Sequence, residues 1–260
     1  MFKLGRHARA FDPRIPHYSA LAMRRLAPPP TAVDYSKGMP LSLGMMLNDE
    51  LGDCTCADVG HSVQVWSFNA HGKMQTPTDK EILGIYEGAC GYDPNAGPPG
   101  LNPTDQGGNM QTVRNYIQRH GIPLPGGGTT KVLLWVEVDP RNHQDIMRVI
   151  DECGGVSIGF NVPQYLLPQD GSPPPHIWQL QPAMDNSIIG GHDVFCVGYD
   201  QHFIKLASWG NWYQMAWAFW DHFVEEAYGT SCEMWVKATG KTPAGLTEAQ
   251  LATLMNAVKM

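Results

Sequence analysis

Asn48-Asp49-Glu50-Leu51-Gly52-Asp53-Cys54-Thr55-Cys56-Ala57 is the stretch around which the chain is organised. It places a thiol, Cys54, behind Gly52 and Asp53 and ahead of Val59, Val63, Val65, Trp66 and Phe68. That apolar run predicts a buried helix over 57–70, stopped at His71-Gly72. A thiol at a helix N-terminus meets free N–H groups and the positive end of the macrodipole. Its thiolate should be favoured and its pKa depressed. The remaining chain can be asked for three things: a base, an oxyanion donor and a cleft.

Bulk properties narrow the field. A chain of 260 residues holds one large domain or two lobes sharing a cleft. With 43% hydrophobic and 17% charged residues it reads as globular. A formal charge of −7 argues against nucleic-acid binding, which needs clustered Lys and Arg. Arg24-Arg25 reads as a solvated face. No window approaches the roughly 20 apolar residues of a membrane span. Met1–Ala10 carries Lys3, Arg6, His7 and Arg9 with no apolar run behind them, so no secretory signal is expected. The expected location is cytoplasmic or virion-associated, and the presence of Met1 is read as no propeptide having been lost. The cysteines at 54, 56, 90, 153, 196 and 232 form no C-x-x-C pair. Reduced thiols are expected, with a disulfide through Cys90 or Cys153 left open. His61, His71 and His120 show no metal spacing, and neither metal nor cofactor is expected.

Residues 1–47 are rich in Pro and Arg, with Pro28-Pro29-Pro30 as a stiff spacer, and read as an extended arm wrapping the surface. Thr78 and Glu81 make a capping box ahead of Ile82, Leu83, Ile85 and Tyr86. A Gly/Pro/Asn-rich loop over 91–108 leads to a helix with Met110, Val113, Tyr116 and Ile117 at helical spacing, stopped by Gly121. The turn-rich junction 123–128 separates a helical half from a sheet-rich one. There, strands are expected over 132–138, 156–162, 193–199, 203–209 and 232–238, with a helix over 143–152. A long loop is expected over 163–187, and a polar helical run up to Tyr228. Beyond 239, Thr247 and Gln250 open a helix with Leu251, Leu254, Met255 and Val258 as its apolar stripe.

Two distant segments complete the chemistry. Gly190-Gly191-His192-Asp193-Val194 sets a histidine, a base for a thiol, at the start of an apolar strand. Ala207-Ser208-Trp209-Gly210-Asn211-Trp212 brackets a small-residue turn with two tryptophans. At these residues the chain resembles the papain-like cysteine peptidases, from about residue 26 to 238. Gly52-Asp53-Cys54 is similar to the family's Gly-Ser-Cys nucleophile element, and Asn48 stands at its oxyanion glutamine. Gly107-Gly108-Asn109-Met110 resembles its Gly-Gly cleft segment, and Gly154-Gly155-Val156-Ser157-Ile158 its Gly-Pro-Val-Ser strand. His192 begins its His-Ala-Val…Val-Gly-Tyr strand, and Ser208-Trp209-Gly210 matches Asn-Ser-Trp-Gly. One departure is prominent: the family's triad asparagine falls on Ala207. Asn211 and Asp193 are the nearby candidates to orient the base.

The resemblance implies an α+β, papain-like two-lobe fold, with a helical left lobe over about 48–125 and an antiparallel β-barrel-like right lobe over about 126–238. Residues 1–25 would be an N-terminal arm and 239–260 a helical appendage. It implies acyl transfer by Cys54 and His192, with Asn48 and the Cys54 N–H at the oxyanion. Gly52, Asp53, Gly107, Gly108 and Trp209 would line a cleft for a peptide or protein substrate. Two alternatives stand beside peptide hydrolysis. One is an amidase or acyltransferase on the same pair. The other is a weak or inactive papain-fold structural or binding protein of a phage particle or other large assembly. In that second case the arm and the C-terminal helix would contact neighbouring subunits.

Overall fold

The computed structural model describes residues 2–21, 28–243, 245–247, 249, 250 and 253. Helix α1, Cys54–His71, starts at the thiol itself. It is buried from Cys54 through Ser67, which is why no single apolar stripe marks its sequence. Helix α2, Asp79–Cys90, opens on the Thr78/Glu81 capping box. Helix α3, Met110–His120, is capped by Asn109, whose side chain accepts from the N–H groups of Gln111 and Thr112. Ile82, Ile85, Tyr86, Val113 and Ile117 close the core of this lobe against Val59, Val63 and Trp66.

The sheet lobe is built from β1 (Val33–Asp34), β2 (Val132–Val138), β3 (Val156–Pro163), β4 (Ile177–Trp178), β5 (Ile188–Tyr199), β6 (Phe203–Ser208), β7 (Asn211–Ala216) and β8 (Val224–Cys232). Helix α4, His143–Cys153, lies between β2 and β3 in sequence and buries Ile146, Val149 and Ile150 against the sheet. Helix α5, Trp217–Phe223, and helix α6, Glu233–Thr239, flank β8. The eight strands pair in the order β2-β8-β3-β5-β6-β7-β4, with β1 added on β5. The path is open and antiparallel except for β4 on β7. The lobes share a floor: Trp66 of α1 packs edge-on against Phe195 of β5 at 5.8 Å and donates its indole N–H to Cys153 O at 2.9 Å.

Three expectations change. The loop over 163–187 holds a turn of 3₁₀ helix, Gln164–Leu166, and strand β4. The segment expected to be helical up to Tyr228 is, from Val224, strand β8, and the expected strand over 232–238 is mostly helix α6. Strand β8 runs between β2 and β3, so its Glu226, Thr230 and Ser231 are buried and no alternation survives in the sequence. Helix α6 follows from Gly240, which supplies the left-handed stop at φ 75°. The arm also departs from a surface wrap, as described below. Thr247 and Gln250 do exchange capping hydrogen bonds at 2.8 and 3.3 Å. The stripe Leu251, Leu254, Met255 and Val258 lies outside the described residues. All six cysteines are free.

Under the junction of the lobes sits a buried ion pair. Arg114 reaches Asp58 of α1 at 3.1 Å, and Ser157 of β3 donates to the same carboxylate oxygen at 2.7 Å. Arg114 also donates to Met110 O at 3.1 Å and lies 5.0 Å from the centre of the Tyr228 ring. Removing the cation alone would strand a carboxylate that burial already pushes above its usual range. Arg114→Met is expected to cost about 3–5 kcal/mol in urea unfolding. A loss under about 1 kcal/mol would contradict this account of the inter-lobe floor.

Candidate active site

Cys54 is the first residue of α1, and Asp53 ahead of it is the N-cap, with the Asp53 carbonyl accepting from Cys56 and Ala57. The backbones of Asp193 and Gly5 lie against the Cys54 thiol, which puts it beside the start of the His192 strand. His192 is fixed on its other side. Its Nε2 is 2.8 Å from Ser208 Oγ, and its ring stacks on Trp209 with centroids 4.1 Å apart and planes 11° apart. Trp209 sits at φ 42°, an uncommon backbone state for a bulky residue, and it turns the indole onto the imidazole. His192 Nδ1 is buried and has no hydrogen-bond partner. In the tautomer that donates Nε2–H to the serine oxygen, Nδ1 carries the lone pair a base needs.

The residue that orients the histidine is therefore Ser208, in place of either side chain named from sequence. Asn211 gives its amide to Trp209 O at 3.2 Å. Asp193 lies on the opposite face of β5 from His192, with a carboxylate oxygen 3.9 Å from Arg114. Ala207 is buried in register with Phe195, and the next position supplies the polar group. In a strand, one residue decides the face. The hydroxyl at 208 was the available signal.

Asn48 and Asp53 also differ from expectation. The Asn48 amide nitrogen points inward, donating to Leu51 O at 3.2 Å and Asp53 Oδ1 at 3.3 Å. Asp53 is buried beneath the turn and accepts from the Asn48 amide. Burial raises its carboxyl above the usual range. Gly52, Gly107 and Gly108 do line the groove, and what they face is the chain's own N-terminal segment.

Residues 3–8 run through the cleft as an extended peptide. On one wall, Gly108 donates to Gly5 O at 2.8 Å, and His7 donates to Gly108 O at 2.8 Å. On the other wall, Gly5 and Arg6 both donate to Gly191 O, at 3.2 and 3.0 Å. At the ends, Lys3 donates to Asn48 O at 3.1 Å, and the Trp209 indole donates to Lys3 O at 3.3 Å. A β-carbon on Gly5 would lie 1.7 Å from Gly52 O, and one on Gly107 would lie 2.0 Å from Gly5 O. Residues 3–8 thus lie in their own molecule's cleft, which corrects the surface wrap for that stretch of the arm. Nothing in the basic, aperiodic sequence 2–9 announced this; the fit depends on glycines far apart in the chain.

The arm silences the electrostatics of the site. Burial comes first in raising the Cys54 thiol well above its usual value, reversing the expected depression at the helix start. Burial, then the charge of Arg6 and the neighbouring His61, pushes His192 down to about 3. Both groups are therefore neutral while the arm is seated.

Two outcomes follow. Ser208→Ala should leave the fold intact but loosen the imidazole, lowering Cys54 reactivity in an arm-displaced chain by about 10- to 100-fold, with partial return in Ser208→Asn. An unchanged rate would remove Ser208 from the site. The second concerns pH. In the open form His192 is the charged partner of the Cys54 thiolate, so near neutral pH the open and seated pairs hold the same number of protons. At lower pH the open thiolate takes up a further proton, while the seated His192 stays neutral down to about 3. The advantage of the seated form is therefore level near neutral pH and shrinks as the pH falls toward 3. Amide-exchange protection of residues 3–8, corrected for intrinsic rates, should be level near neutral pH and fall below about pH 5. Constant protection down to about pH 3 would contradict the assignment.

No family model matches the chain, and no curated protein matches it in sequence. Among solved structures it is similar to xylellain, a cysteine protease from Xylella fastidiosa, with TM-score 0.65 and 16% identity over 88% of this chain and 95% of that one. It is similar to procathepsin B S9 from Trypanosoma congolense, with TM-score 0.60 and 12% identity over 89% and 87%. It also resembles digestive procathepsin L 3 of Tenebrio molitor, with TM-score 0.57 and 14% identity over 84% and 73%. The chain has the papain-like two-lobe α+β fold, with Cys54 on the helical lobe and His192 on the sheet lobe.

Proposed function

We propose that the chain is a Cys–His peptidase whose cleft is closed by its own N-terminal segment. One observation carries this reading: an extended peptide already lies across Cys54, held by main-chain hydrogen bonds from Gly108 and Gly191. A groove that grips backbone on both walls suits a peptide or protein substrate. The structural neighbours, a cysteine protease and two procathepsins, agree with it.

In the open cleft His192 Nδ1 takes the Cys54 proton, giving a thiolate–imidazolium pair. The sulfur attacks the carbonyl carbon of the scissile bond, and a C–S bond forms as the carbonyl oxygen takes up charge. The Cys54 N–H at the start of α1 faces that oxygen, and Asn48 joins it only if its amide turns from Asp53. The imidazolium returns its proton to the leaving amine as the C–N bond breaks. Water, deprotonated by His192, then cleaves the thioester and releases a carboxylate. Trp209, stacked on the imidazole, excludes water from the pair.

The scaffold alternative rested on Ala207 leaving the base unheld, on the expected lack of a signal and propeptide, and on the N-terminal arm and C-terminal helix. Ser208 supplies that hold, and the group covering the thiol is a backbone strand with no side chain at Gly5. An amidase or acyltransferase uses the same pair and differs only in the acceptor of the acyl group.

Replacing Gly5 by Leu should expel the arm without touching the walls. Full-length Gly5→Leu is expected to react with a peptidyl epoxide at Cys54 at least about 10-fold faster than the wild-type chain and to hydrolyse casein. His192→Ala in that background should abolish both. If the six thiols label equally slowly in Gly5→Leu, with no hydrolysis, the enzyme reading fails.

A further inference from the structure

Arg6 does more than pass through the cleft. Its side chain is 1% exposed and ends on the carboxylate of Glu226, itself fully buried, at 2.6 Å. The other terminal nitrogen donates to Asn161 Oδ1 at 2.9 Å and to Glu225 Oε2 at 3.0 Å. Nη1 also lies 3.4 Å from His7 O. The guanidinium fork thus meets acceptors from β3 and β8 together, a geometry a lysine ammonium does not reproduce.

The pocket is built, and built for a cation. Glu226 is braced from behind: Tyr228 donates to its second oxygen at 2.7 Å, and Gln111 donates to the Tyr228 hydroxyl at 2.9 Å. The stem of the arginine has its own space. A β-carbon on Gly159 would lie 2.5 Å from Arg6 Cδ and 2.8 Å from Glu226 Cγ. One on Gly191 would lie 3.0 Å from Arg6 Nε. The two wall positions that would block this side chain are therefore both glycine. When the arm leaves, Glu226 loses its counter-ion in a concave, low-dielectric site, and an uncompensated buried carboxylate is costly. The emptied pocket must attract a replacement cation.

The geometry points to this acidic pocket as the specificity pocket of the cleft: it selects an arginine side chain of the substrate next to the scissile bond, and Arg6 holds that place in the closed chain. This rests on the peptidase reading only for the word substrate; recognition of an arginine-bearing peptide stands by itself.

Two measurements on full-length Gly5→Leu test it separately. The first is binding of a fluorescent peptide copying residues 2–10, against the same peptide with citrulline, arginine's neutral isostere, at position 6. The arginine peptide should bind about 10- to 100-fold more tightly, and Glu226→Gln should bring the two within about 3-fold. The second is a positional-scanning fluorogenic peptide library, in which arginine should dominate one position beside the cleavage site and lose that lead in Glu226→Gln. Equal binding of the two peptides, or selection of apolar side chains at every position, overturns the proposal. Discrimination between the peptides with no cleavage of any library member upholds the pocket and overturns the peptidase reading. The peptide comparison uses one unchanged protein, so misfolding of the Glu226 variant would not obscure it.

Discussion

Gly5 crosses Gly52 with no space for a β-carbon, and the state of the whole site depends on that crossing. Because the backbone can come this close, Gly5 reaches the Cys54 sulfur while also pairing with Gly108 and Gly191. Arg6 then falls beside the Glu226 pocket and Lys3 beside Asn48. A side chain at position 5 would lift this register away from the nucleophile. Glycines 107, 108, 159 and 191 answer from the walls, so the fit is a property of both surfaces.

That contact explains how a thiol at a helix start can be inert. The macrodipole favours the thiolate, but desolvation is the larger effect at full burial, and it acts on the imidazole in the same direction. The Arg6 cation presses further against a protonated His192. The geometry is nevertheless complete: Ser208 fixes one ring nitrogen, Trp209 fixes the plane, and the other nitrogen is left free. In the proposed mechanism the seated arm withholds the charge separation of the pair.

Much of the fold was legible because its signals are local. The Thr78/Glu81 box, the glycine stops at 72 and 121, and the β-branched run over 132–138 each act through neighbouring residues. Strand β8 was misread because its polar residues are satisfied by partners distant in sequence, Arg6 for Glu226 among them. The same limit governs the site. Cys54 and His192 are assigned from order and spacing. Ser208 was missed by one position, since motif matching fixed on Ala207 where the strand turns a different face to the histidine. The arm's place could not be read at all, because it is set by the absence of side chains at scattered glycines, and absence leaves no periodic mark.

The central claim is that Cys54 and His192 form an ion pair once the arm is displaced and not before. Nitrogen NMR of the His192 ring reads this directly, comparing the wild-type chain with full-length Gly5→Leu at neutral pH. The account predicts a neutral ring protonated at Nε2 in the wild-type chain. It predicts an imidazolium in Gly5→Leu that reverts to neutral when Cys54→Ser is added. A neutral ring in both chains, or a charged ring that persists without the thiol, would contradict it.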